Sequence, residues 1–173
     1  MMKVIFLDID GVLVTRKSLQ HDHDTINQPW AISGARRTHL ALSSFDPEAV
    51  KNLNWLIEAS GAGLVISSVW RIYRIVGQLR EIFAEEGVEG DVLGATMILR
   101  DDDRTEYPRG SEIQWWLHSN PGVEGFCILD DDSYDIAPLF PDRLVKLDTK
   151  IGLTRESAEL ALSIINTKLE GVV

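Results

Sequence analysis

An α/β three-layer sandwich built on a central parallel sheet is the fold class this sequence predicts, and three observations predict it. Short, continuously apolar runs recur and end in Asp or Ser, the pattern of strands buried on both faces. Between them lie segments with a 3.6-residue apolar stripe, and this alternation calls for right-handed crossovers with helices covering both faces of the sheet. A length of 173 residues fits one domain over 1–173, and 45% hydrophobic residues supply enough material for a closed core.

Lys3 to Asp8 is the first strand, a β-branched run bounded by Asp8 and Gly11. Thr15 to Ser44 breaks the alternation, being polar and without a sustained period, and is expected to form a small cap or lid inserted over one end of the sheet at 15–44. Asp46-Pro47-Glu48 then reads as an N-cap followed by Pro at the first helical position, opening a helix over 47–60 that carries Val50, Leu53 and Ile57 and stops at Gly61. Gly63 to Ser67 is the second strand. Ile72, Ile75, Val76, Leu79, Ile82 and Phe83 form one stripe that predicts a single helix ending at Gly87. A weaker strand pattern covers Asp91 to Leu99. Ser111 and Gln114 have capping-box spacing, so the third helix is expected to start at Ser111, pack Ile113, Trp116 and Leu117, and end at Asn120-Pro121-Gly122. Gly125 to Asp130 is a strong strand and Arg143 to Leu147 a weaker one. The last helix opens at Thr154 and places Ala158, Ala161, Leu162, Ile165 and Leu169 inward.

Against 17 Lys+Arg stand 27 Asp+Glu, a net charge of −10. This excess excludes a broad basic face for nucleic-acid backbone but leaves room for a local basic pocket. Cys127, the single cysteine, lies in an apolar run and reads as a small buried thiol. The apolar N-terminal stretch is ended by Asp8, too early for a signal core or membrane span, so a cytoplasmic, membrane-free location is expected.

Ligands of open α/β sheets bind at the carboxyl ends of the strands. Here those ends read Asp8-Ile9-Asp10-Gly11, Ser67-Ser68 and Asp130-Asp131-Asp132. Taken alone, either acidic group would serve as a solvated turn; two of them at apolar strand ends, with serines at a third, point to a site. Carboxylates crowded together repel, and an all-oxygen set suits Mg²⁺, the expected cofactor.

The segment Val4-Ile5-Phe6-Leu7-Asp8-Ile9-Asp10-Gly11-Val12-Leu13 resembles the first motif of the haloacid dehalogenase (HAD) superfamily, an apolar strand followed by DxDGxL. Leu64 to Ser67 resembles the second motif and Ile128 to Asp131 the fourth, with Asp135 fitting its variant spacing. More narrowly, Asn54-Trp55-Leu56, Ser67-Ser68-Val69-Trp70-Arg71, the run Arg109 to Leu117 and Leu129 to Asp132 are similar to the HAD domain of Swiss Army Knife RNA repair proteins. The likeness extends from Lys3 to about Leu160 and implies a Rossmannoid phosphatase. Asp8 would be the nucleophile that forms an aspartyl-phosphate, and Asp10 the general acid and base. Ser67 would donate to the phosphoryl oxygens, with Ser68 as the fallback donor and Arg71 as a further phosphate contact. The third motif is normally a Lys or Arg; no lysine lies between Lys51 and Lys146, so Arg109 takes that place. Asp8, Asp10 through its backbone carbonyl, Asp130 and Asp131 would hold the metal. An Asp at position 10 favours phosphomonoesters, whose alkoxide leaving group needs a proton. The expected partner is therefore a phosphorylated small molecule, a nucleotide or a nucleic-acid terminal phosphate.

Other features have plainer readings. His21-Asp22-His23-Asp24 suits a solvated loop or part of the lid, and Arg36, Arg37 and His39 an exposed turn or an anion-recruiting patch. Asp132 and Asp135 are supporting acids, Arg74 lies near the start of the second helix, and Trp30 and Trp70 are the tryptophans to watch for base stacking. Two rival functions remain. A phosphoacceptor signalling module also gathers acids at strand ends, but places its Asp on a later strand and needs a Lys at a strand end. A non-catalytic HAD-like binding domain would have no need to tolerate the Asp8–Asp10 repulsion. Phosphoenzyme lifetime separates the first rival from an enzyme, and metal binding at millimolar Mg²⁺ the second.

Overall fold

The computed structural model describes residues 2–19, 45–100 and 107–167. Five strands form one all-parallel sheet in the order β3-β2-β1-β4-β5: β1 (Met2–Leu7), β2 (Gly63–Ile66), β3 (Val92–Ala95), β4 (Val123–Asp130) and β5 (Leu144–Lys146). β1 is central because its side chains are apolar on both faces. Ile5 and Leu7 enter one core together with Leu64, Ile66, Cys127 and Leu129, while Val4 and Phe6 enter the other with Val65, Phe126 and Ile128. Both faces are therefore covered, as a parallel sheet requires. Burial also pushes the Cys127 thiol up, away from reactivity.

Three helices line the larger core: α1 (Pro47–Ser60), α3 (Val76–Glu85) and α5 (Arg155–Asn166). The Asp46 carboxylate accepts the Glu48 N–H at 2.9 Å and Gly61 closes α1 in a left-handed conformation, as the sequence predicts. Thr154 and Ser157 cap α5 reciprocally. Ala158, Ala161 and Ile165 are buried and Leu162 is partly so. A β-carbon at Gly125 would fall 2.1 Å from the Ile165 carbonyl oxygen, so only glycine lets α5 lie this close to β4. On the opposite face Phe6 meets Trp116 and Phe126 edge-to-face at 5.4 and 5.7 Å.

Two helix expectations are corrected. The stripe from Ile72 to Phe83 does not form one helix but a short turn, α2 (Trp70–Tyr73), and then α3, with Arg74 extended between them. Ile72 and Ile75 are 39% and 72% exposed, so periodicity there does not reflect burial. Trp70 and Arg71 are tucked in at the end of β2, and the chain must change direction before Leu79, Ile82 and Phe83 can lie on the sheet. The helix expected from Ser111 is α4 (Arg109–Ser119), and Ser111 stands inside its first turn. Its N-terminus is capped from a distant loop instead, where Asp135 accepts the Arg109 N–H at 3.0 Å on its carboxylate and the Gly110 N–H at 3.1 Å on its carbonyl.

Of the expected lid at 15–44, only Thr15 to Leu19 is described; Thr15 is buried and its hydroxyl donates to Asp46 at 3.0 Å. His21, Asp22, His23, Asp24, Trp30, Arg36, Arg37, His39 and Leu169 lie outside the described residues. Among the described residues, no helix is long and apolar enough to cross a membrane.

Candidate active site

β1 and β4 are neighbours with Leu7 opposite Leu129, so Asp8 and Asp130 leave the sheet side by side. Carboxylate oxygens of Asp8, Asp130 and Asp131 lie within 4.8 Å of one another. Arg109, at the start of α4, donates from Nη1 to Asp8 at 3.1 Å and to Asp130 at 2.6 Å. Its guanidinium thus holds two buried carboxylates together. Burial would lower the Arg109 pKa, but the charges of Asp130 and Asp8 outweigh it and hold the cation well above its ordinary value. For Asp130, burial and the nearby Asp8 charge raise the carboxyl to about 7 against the pull of Arg109.

The Asp131 carboxylate accepts the Thr149 hydroxyl at 2.8 Å and rests over Gly11. Gly11 has φ 77°, and a β-carbon there would lie 2.2 Å from Asp131 Oδ2. Glycine is thus needed both for its backbone and for the space that the acid fills. Gly11→Ala is expected to lower stability by about 1–3 kcal/mol and displace Asp131. Thermal unfolding reads this directly, and an unchanged midpoint would mean that the loop yields freely.

The Asp10 side chain does not join the acidic group; the metal role expected of this residue rests on its backbone carbonyl. It is exposed and accepts the Trp70 indole N–H at 2.9 Å. Burial raises the Asp10 carboxyl above its usual range; the Trp70 bond opposes the rise, and Asp8 and Asp131 add to it.

Ser67 and Ser68 follow β2, the strand on the other side of β1, and both are fully buried. The Ser67 hydroxyl has no hydrogen-bond partner among the described residues, an orphaned donor at the carboxyl edge of the sheet. Ser68 Oγ is already used, accepting the Trp70 N–H at 3.4 Å. Arg71, expected to contact phosphate, is turned into the protein. It donates to the carbonyls of Ser67 and Ser68 and pairs with Glu112, its side chain 7% exposed. Trp70 is 7% exposed and lies against Arg74, 4.6 Å from the ring centroid, and Phe45, so it presents no open face for stacking a base. Asp132 accepts the Tyr134 N–H at 3.0 Å as a turn residue, and Asp135 supports α4.

Sequence reasoning missed Glu112. It sits one helical turn after Arg109, and its two oxygens take the Arg71 guanidinium and, at 3.2 Å, the Leu99 N–H. Its only signal was an acid where α4 turns inward, beside Ile113.

Residues 4–158 match the family model described as the HAD domain in Swiss Army Knife RNA repair proteins. No curated protein and no solved structure gives a significant match.

Proposed function

The chain belongs to the family of HAD domains found in Swiss Army Knife RNA repair proteins and is a HAD-type hydrolase, and we propose that it is a Mg²⁺-dependent phosphomonoesterase acting through an aspartyl-phosphate at Asp8. The observation that carries this reading is the joining of Asp8 and Asp130 by Arg109 beside Asp131. Asp8, Asp130 and Asp131 suit a hard divalent ion: the donors are all oxygen, and the Asp130 carboxyl is raised by burial and by the nearby Asp8 charge, both of which a bound cation offsets. Asp8, Asp130 and Asp131 would hold Mg²⁺, with the Asp10 carbonyl. When bound, the ion supplies positive charge that neutralises these acids and attracts the phosphate.

The remaining chemistry belongs to the chain. An Asp8 oxygen attacks phosphorus in line, the bond to the leaving oxygen breaks, and Asp10 gives that oxygen its proton. Water then attacks the aspartyl-phosphate and returns a proton to Asp10, and the Asp8–phosphorus bond breaks to release inorganic phosphate. The orphaned Ser67 hydroxyl donates to a phosphoryl oxygen, while Arg109 balances charge on the transferring group. A net charge of −10 disfavours extended nucleic-acid backbone. The substrate is thus a single phosphate group on a nucleotide or a nucleic-acid end, the latter favoured by the family's setting in RNA repair proteins. Phosphate release should be measured with Mg²⁺ across sugar phosphates, nucleotides and 3′- and 5′-phosphorylated oligonucleotides. No release from any of them would overturn the assignment.

A pH dependence follows from Asp130. Its carboxyl rises from 3.8 to about 7, so protonation stabilises the metal-free fold, an effect fully present below about 4 and lost as pH climbs through about 7. Mg²⁺ needs the ionised form and works in the opposite direction. Its apparent affinity is expected to fall about tenfold from pH 8 to pH 6, read by titration calorimetry. Equal affinity at the two values would remove Asp130 from the ligand set.

A further inference from the structure

The two protonic roles given to Asp10 require its carboxylate to be aimed, yet it is exposed at a loop and stands outside the acidic group. What holds it is Trp70, sixty positions away: the indole N–H donates to Asp10 Oδ2 at 2.9 Å. The indole is itself well anchored. Trp70 is 7% exposed, its backbone N–H meets Ser68 Oγ at 3.4 Å, the Arg74 guanidinium lies 4.6 Å from its centroid, and Phe45 packs at 6.1 Å. A buried indole N–H needs an acceptor, and here that acceptor is a carboxylate oxygen, so the bond that satisfies the indole also fixes the Asp10 side chain. The same residue also joins the loop after β1 to the serine loop after β2.

We propose that Trp70 is the positioning residue for Asp10, holding the carboxylate where it can reach the leaving oxygen of the substrate; this rests on the phosphomonoesterase reading above. Trp70 touches no reacting atom and moves no proton. It limits the rotamers of Asp10, so its removal lowers the share of enzyme with the acid in place.

That role has a readout that general loosening lacks. An aryl phosphate with an acidic leaving phenol needs little protonation, whereas an alkyl phosphate depends on it. The value of kcat/KM, which includes leaving-group departure, should be measured for p-nitrophenyl phosphate and for an alkyl phosphate in the wild type and in Trp70→Phe. Trp70→Phe is expected to lose at least about tenfold more on the alkyl ester than on the aryl ester. Equal losses on both, or none, would overturn the proposal. If Trp70→Phe does not fold, 3-benzothienylalanine at position 70 keeps the ring shape without the N–H, and the same inequality is required. Separately, the indole ¹H–¹⁵N resonance that Trp70→Phe removes should shift in Asp10→Ala; an unmoved resonance would contradict the hydrogen bond. Wild-type protein that hydrolyses neither these esters nor any substrate of the screen above would refute the phosphatase reading and this role with it, while the resonance still reports on the contact.

Discussion

Asp8→Asn is expected to reduce phosphate release by about a thousandfold or more while leaving the fold intact. An amide has nearly the shape of the carboxylate but no nucleophilic oxygen, so the covalent step is removed and not merely slowed. The fold should survive because Asp8 is a source of repulsion for the fully buried Asp130, the Ile9 N–H that its Oδ1 accepts at 2.8 Å can be taken by the amide oxygen, and Arg109, which loses its 3.1 Å acceptor on Asp8, keeps Asp130 at 2.6 Å. Relief of repulsion and loss of the Arg109 contact oppose each other, so the melting temperature in metal-free buffer should change little. Equal turnover in the two proteins would sink the aspartyl-phosphate mechanism. A phosphoryl label retained for hours by the wild type would instead favour a signalling module.

Glu112→Ala should produce the largest loss of stability, about 3–5 kcal/mol, which for a domain of this size lowers the melting temperature on the order of 10 °C. Glu112 and Arg71 have side chains only 4% and 7% exposed, and burial shifts both toward their neutral forms, Glu112 upward and Arg71 downward. Removing the acid leaves a buried guanidinium with two carbonyls for company and the Leu99 N–H without its acceptor. The pair also links the serine loop to the helix that carries Arg109, so activity should fall with stability. Replacing both partners together, Arg71→Leu with Glu112→Leu, should recover part of the loss, because no charge is then stranded. A loss below about 1 kcal/mol in Glu112→Ala would show that solvent reaches Arg71.

Much of this architecture is legible from residue order. Val4 to Leu7 and Phe126 to Leu129 are apolar at every position, and a strand buried on both faces reads as such a short run, here closed by Asp at its carboxyl end. Asp46, Pro47 and Gly61 mark the ends of α1 because capping is chemistry within a few residues of the helix. The failures have a shared cause. Ile72 and Ile75 keep helical spacing but have no sheet beneath them, and α4 takes its cap from Asp135, a residue with no local relation to it.

The candidate site divides along the same line. From the sequence alone, Asp8, Asp10, Ser67, Asp130 and Asp131 could be placed at strand ends, and parallel strands put those ends on one edge. Only the tertiary structure decided which side chains meet. Asp10 turns to Trp70, Arg71 turns inward to Glu112, and Arg109 reaches back across 101 positions to Asp8. Periodicity and capping record the free energy of a segment and its immediate neighbours. The choice of partner for a charge or an indole N–H depends on strand order and on which groups packing leaves without water, and that is a property of the assembled core.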